Sequence, residues 1–97
     1  MASGASLPLQ SIATMAGGAD VLARRAVELA SEGDDDALRL AGHLAEYAAL
    51  AAPDSAVAHQ ARAEVFRVRA HAEPSLMAKG VFSWAEAESQ RRAEELD

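Results

Sequence analysis

The stretch DALRLAGHLAEYAALAAPD at residues 36–54 decides the fold. Between Ala37 and Ala52 every residue is apolar except four, which share one narrow stripe at i, i+3, i+4 and i+7: Arg39, Gly42, His43 and Glu46. A helix that is apolar over most of its circumference is buried on most sides. The segment therefore predicts a helix from about Asp36 to Ala52, ended by Pro53 and packed between other elements.

Composition favours helices for the remainder of the chain. The sequence has 97 residues and no cysteine, which indicates one small domain without disulfides or a thiolate metal site. Alanine, the strongest helix former, supplies 25 residues, whereas valine, isoleucine and threonine together supply eight. Only 19 residues are leucine, isoleucine, valine or phenylalanine, so the core must be thin.

Three further helices are predicted around the central segment. The first carries an apolar stripe and ends at Gly33, after which Asp34 can cap the next helix. The third opens at Asp54 or Ser55, and the fourth follows the break at residues 73–75. Their predicted bounds are 20–32, 54 or 55 to 72, and 82–95, and the sequence also allows a separate turn of helix at 75–79, before Gly80.

These elements predict an all-α bundle of about four helices in tetratricopeptide-like helical hairpins. A repeat array is not expected, because no second copy follows at a period of about 34 residues. Residues 1–18 are small, polar and glycine-rich, which indicates a flexible tail or linker. Residues 19–97 form the predicted helical domain.

The charge balance excludes some classes of partner. The net charge of −6 argues against nucleic acid and anionic membranes, because no basic patch can release phosphate counterions. No apolar run approaches the roughly 20 residues of a membrane span, and no leader resembles a signal peptide. We therefore expect a cytoplasmic protein.

The central helix carries more apolar surface than its thin neighbours can cover, so a second copy of the chain or another domain should pack on it. Large apolar side chains on this helix and on the last two helices are candidates for core or interface, and the sequence does not separate the two roles. They are Leu40, Leu44, Tyr47, Leu50, Phe66, Met77, Phe82 and Trp84.

Candidate chemistry is sparse. His43 and Glu46 lie one turn apart and could share a metal or a proton, but catalytic zinc needs three protein ligands, so a polar groove is the better interpretation. His59 and His71, with Gln60, Arg62, Arg67 and Arg69, are predicted to form the solvated face of the third helix. No serine lies in a nucleophile elbow, so no catalytic residue, metal ligand or cofactor is expected.

From Met15 to about Ser89 the chain resembles the alkyl sulfatase dimerisation domain. Four stretches carry the resemblance, above all HLAEYAALAAPD and the segment from Glu73 to Phe82. They are AGGADVLARRA at 16–26, LAGHLAEYAALAAPD at 40–54, RAEVFRVRAHAEPSLMAKGVF at 62–82 and AEAES at 85–89.

This resemblance implies a non-catalytic helical module that follows the catalytic domain of metallo-β-lactamase-fold hydrolases and pairs two subunits. In such enzymes the metal-binding histidines and aspartates lie in the upstream domain, in an H-x-H-x-D-H pattern that this sequence lacks. It implies a homodimer, and zinc in the catalytic domain of a longer parent enzyme. The chain then looks like an excised domain or a stand-alone relative.

Two other functions compete with this one. An adaptor would bind another protein through the apolar surface of the central helix. A small metal enzyme would use His43 and Glu46, and it is disfavoured because an alanine-rich bundle of this size offers no pocket lined by convergent polar groups.

Overall fold

A computed structural model describes residues 18–96 as four α-helices joined by short turns. The helices are α1 (Ala19–Glu32), α2 (Asp35–Ala51), α3 (Ala56–Ala72) and α4 (Leu76–Leu96). The described residues contain no strand, so the prediction of an all-α bundle is confirmed. The likeness to tetratricopeptide hairpins stays a prediction, and residues 1–17 of the predicted tail lie outside the described residues.

Short polar side chains set the starts of α2 and α3. Asp34 Oδ1 accepts a hydrogen bond from the Ala37 amide at 2.8 Å, and Ser55 Oγ accepts one from the Ala58 amide at 3.1 Å. Both bonds satisfy amides that the first turn of a helix leaves free. Gly33 ends α1 with a φ of +85°, a left-handed conformation that side chains disfavour.

The predicted start of the fourth helix was wrong, because α4 begins at Leu76 rather than Phe82. Ser75 supplies the signal that starts it early: Ser75 Oγ accepts from the Ala78 amide at 3.3 Å, and its carbonyl accepts from the Lys79 amide at 2.9 Å. The turn predicted at 75–79 stops short of Gly80, but a glycine inside a helix costs only about 1 kcal/mol. The helix therefore runs through it.

The packing order makes α3 the common neighbour. It contacts α1, α2 and α4, while α1 and α2 also pack against each other. At the level of the backbone, α4 approaches α3 and no other helix of residues 18–96. None of these four helices is both long and apolar enough to span a bilayer.

The core consists mostly of alanine. Among the described residues 17 apolar side chains are buried, and 12 of them are alanine. The other five, spread over α1, α2 and α3, are Leu22, Leu29, Leu38, Val65 and Phe66. Small side chains let helix backbones approach closely, but each buries little apolar surface, so the core is thin, as the composition predicted.

Candidate functional site

The outer face of α2 leaves large apolar side chains in contact with solvent. Leu40 is 47% exposed, Tyr47 38% and Leu50 60%, whereas Leu44 is half-buried against the core. The three exposed residues, Leu40, Tyr47 and Leu50, fall at i, i+7 and i+10, and exposed His43 lies between the first two. The structure therefore describes an apolar α2 face (Leu40, Tyr47, Leu50) that no described helix covers.

A second apolar surface lies on the first half of α4. Met77 is 83% exposed and Trp84 60%, and they are joined there by Leu76 at 86% and Val81 at 59%. Leu76 and Val81 were missed by sequence reasoning, because the helix was expected to start only at Phe82. Their spacing was the available signal: Trp84 lies eight residues after Leu76 and three after Val81, which places all three on one side of a helix. We call these four residues the α4 face.

Phe66 and Phe82 lie inside the molecule instead. Phe66 is buried and Phe82 half-buried, with ring centroids 5.8 Å apart. The Arg69 guanidinium stacks 4.4 Å from the Phe82 ring centre and 5.8 Å from that of Phe66. Gly42 lies beside this guanidinium, and a methyl group added there would overlap it. This stack packs the first half of α4 against α3.

Arg62 joins three helices at one buried point. It is 8% exposed, and its Nε donates to Glu46 Oε1 of α2 at 2.6 Å. Its Nη1 donates into α4, to Glu88 Oε1 at 2.8 Å, Ser89 Oγ at 2.7 Å and the Ala85 carbonyl at 3.1 Å. Because α2 and α4 do not touch through their backbones, this Arg62 cluster (Glu46, Arg62, Glu88, Ser89) bridges them.

The predicted solvated face of α3 is therefore wrong at two of its arginines. Arg62 pairs with Glu46 of α2 and Glu88 of α4, and Arg69 lies over the Phe82 ring of α4. Arg67 does lie exposed, and it pairs with Glu64 at 2.6 Å. The local sequence does not distinguish Arg62 from a solvated arginine, because its acidic partners lie 16 and 26 residues away in the chain.

Burial changes the proton affinity of the arginine in the aromatic stack. Desolvation lowers the pKa of Arg69, and the nearby Arg39 guanidinium lowers it further, whereas Glu73 opposes the change. Arginine remains protonated at neutral pH in any case. The positive charge in the aromatic stack is therefore permanent.

The residues singled out for a polar groove take different roles. Glu46 is engaged by Arg62, while His43 is exposed on the neighbouring side of α2. His59 Nε2 lies 2.9 Å from the Pro53 carbonyl, and its Nδ1 lies 3.5 Å from Ser89 Oγ. Across residues 18–96 no three histidine, aspartate or glutamate side chains gather in a way that could hold a metal ion.

Comparison with known proteins gives one match. The family model for alkyl sulfatase dimerisation matches residues 9–92, which is most of the chain. No curated protein and no solved structure matches. The matched region spans all the turns between the helices, both exposed apolar faces and the Arg62 cluster. The chain therefore belongs to the alkyl sulfatase dimerisation family.

Proposed function

We propose that this chain is a non-catalytic module that pairs with a second copy of itself. Its family membership supports self-association directly. The observation that carries the proposal is the α4 face, whose four large apolar side chains the fold leaves in water. Covering such side chains is favourable by about 25 cal/mol for each Å² removed from solvent.

The thin core means that self-association should also stabilise the fold. Twelve of the 17 apolar residues buried in the described part of the chain are alanine, so the isolated bundle buries little apolar surface for its length. Binding to a folded copy stabilises the folded state by mass action. Pairing would therefore add to the stability of the bundle as well as joining two subunits.

We propose further that the module serves a metal-dependent hydrolase of the metallo-β-lactamase superfamily, with zinc held by the catalytic domain of that enzyme. The family name links the module to sulfate-ester hydrolases, which supports this assignment. The net charge of −6 supports a partner that is neither nucleic acid nor an anionic membrane.

Light scattering on the purified chain over a wide concentration range tests the proposal. We expect the mass of a dimer at low micromolar concentration, falling toward the monomer on dilution. A monomer at every concentration would overturn self-association. The adaptor function would then take its place, because the exposed α2 face would be free for a helix of another protein.

A further inference from the structure

The α4 face is more exposed than any other apolar surface among the described residues. Its four side chains are 59–86% exposed, and they occupy one side of the helix within two and a half turns. Gly80 lies on the same side between them, and a methyl group added there would meet no atom within 4 Å. The centre of this face is therefore open to close approach by another helix.

Charge distinguishes this face from the rest of the molecule. The chain carries 15 acids against nine basic residues, so two copies repel each other at long range. Residues 74–85 contain no acid, and their one charged residue, Lys79, lies to the side of the α4 face. Within residues 74–85 two copies can thus meet without bringing carboxylates together, and the nearest acids, Glu73 and Glu86, lie beyond the two ends of this segment.

We propose that a second copy of this chain covers the α4 face, with the two α4 helices antiparallel and crossing at a two-fold axis near Gly80. The inference rests on the proposed self-association and specifies its surface. In a two-fold contact the same patch serves both subunits, so it must fit itself. Trp84 lies four residues after Gly80, and Leu76 lies four before it. Each Trp84 would therefore pack against the Leu76 end of the partner.

The size of the face fits this role. A large side chain offers on the order of 150 Å² of surface, so these four at their exposures offer roughly 400 Å². A standard interface buries about 800 Å² on each partner, a little over half of it apolar. The α4 face thus supplies most of the apolar area that one stable, symmetric contact needs.

Two equally exposed residues provide a matched test by charge insertion. Val81 is 59% exposed on the α4 face, and Leu50 is 60% exposed on the α2 face. We expect Val81→Glu to raise the dissociation constant of the dimer at least about 30-fold, as at an interface hot spot. Leu50→Glu should change it by less than about threefold. Light scattering gives both constants, and circular dichroism confirms that each variant keeps its helices.

Crosslinking tests the two-fold geometry separately, because the chain contains no cysteine. A residue beside the axis lies close to its own copy, and a disulfide needs Cα atoms about 4.4 to 6.8 Å apart. Mild oxidation of Val81→Cys should therefore give a covalent dimer on a non-reducing gel. Leu50→Cys, equally exposed but distant from the proposed axis, should remain monomeric on the gel.

The outcomes separate this inference from the function on which it rests. A wild-type dimer that survives Val81→Glu but dissociates with Leu50→Glu would overturn the α4 contact and leave self-association standing. A dimer that loses stability with Val81→Glu yet gives no Val81→Cys crosslink would overturn the antiparallel two-fold arrangement. A wild-type monomer at every concentration would overturn both proposals.

Discussion

At the scale of single residues, Arg62 carries the largest share of the polar contacts between helices. Its side chain is buried, and its Nε and Nη1 donate to two carboxylates, a hydroxyl and a carbonyl. The two carboxylates remain partly exposed, at 41% and 44% of the side chain, so water still solvates them. This geometry lessens the desolvation penalty that a fully buried ion pair would carry.

We predict that Arg62→Met lowers the free energy of unfolding by about 2 kcal/mol, because the hydrogen bonds to two carboxylates are lost and the buried Ser89 Oγ keeps only its 3.5 Å contact with His59 Nδ1. Urea unfolding followed by circular dichroism measures the change. Arg67→Met on the same helix is the control, and its loss should be far smaller because that arginine is exposed. Equal losses in the two variants would contradict the bridging role of Arg62.

A second prediction concerns acid stability. Hydrogen bonds from Arg67, at 2.6 and 3.1 Å, hold the pKa of Glu64 below its ordinary value of 4.5, and partial burial opposes them. Because the folded-state pKa is depressed, this contribution to stability is present above pH 4.5 and is lost as the pH falls below it. The contribution is small, since both side chains are more than 40% exposed.

An NMR titration of the Glu64 carboxyl group should give a midpoint below 4.5 in the wild-type chain. In Arg67→Met the midpoint should move upward, because the hydrogen bonds and the positive charge are gone. Added salt should leave most of the hydrogen-bond effect in place and weaken only the charge attraction. An unchanged midpoint in the variant would show that Arg67 is not the cause.

At the scale of elements, the sequence predicts best where local chemistry is sufficient. The end of α1 at Gly33 and the cap of α2 at Asp34 are readable because one glycine and one aspartate act on their own neighbours. The start of α4 is not readable in the same way, because Pro74 and Gly80 both indicate a break. The helix forms despite both signals because Ser75 caps it and Phe82 packs against Phe66. The cap is local, whereas the Phe82 contact joins two helices and cannot be predicted from neighbouring residues.

The Ser55 cap yields a prediction for this scale. Ser55→Ala should cost about 1 kcal/mol of unfolding free energy, because the Ala58 amide loses its acceptor. Ser83→Ala supplies the matched control, since Ser83 is an exposed residue in the interior of α4 and alanine is the better helix former there. It should therefore stabilise the chain slightly. Chemical denaturation of both variants side by side distinguishes the loss of a helix cap from the effect of replacing any serine by alanine.

At the scale of the whole molecule, α4 is the most weakly attached helix of residues 18–96, since its backbone approaches α3 alone. Its buried side chains are Ala85, Ser89 and Ala93, which remove little apolar surface from water. Regions with few apolar contacts open at a lower free-energy cost than the global transition. The Arg62 cluster and the Arg69 stack therefore matter more to α4 than to the other helices.

Hydrogen exchange should show that α4 opens more easily than the other three helices. Amides in the second half of α4 should exchange faster than those in the middle of α2, which is covered by both α1 and α3. Arg62→Met should speed exchange in α4 more than in α1, because α1 makes no contact with the cluster. Uniform exchange over all four helices would instead indicate that the bundle opens as one cooperative unit.

The candidate surface shows the same division between what a pattern predicts and what packing decides. The excess of apolar residues on α2 was apparent from periodicity, and Leu40, Tyr47 and Leu50 are indeed exposed. The sequence could not separate the buried Phe66 from the exposed Met77 and Trp84, because that choice depends on how α3 and α4 pack together. The buried position of Arg62 depends on partners in two other helices.

The alanine-rich core has a consequence for how this chain can vary. A single-base change in an alanine codon gives valine, threonine, serine, proline, aspartate, glutamate or glycine, and only glycine is smaller. At the 12 alanines buried among residues 18–96, almost every such mutation adds atoms to a closely packed core. Genetic drift in this core would therefore be limited by crowding rather than by cavities, and tolerated changes should collect on the outward-facing side chains.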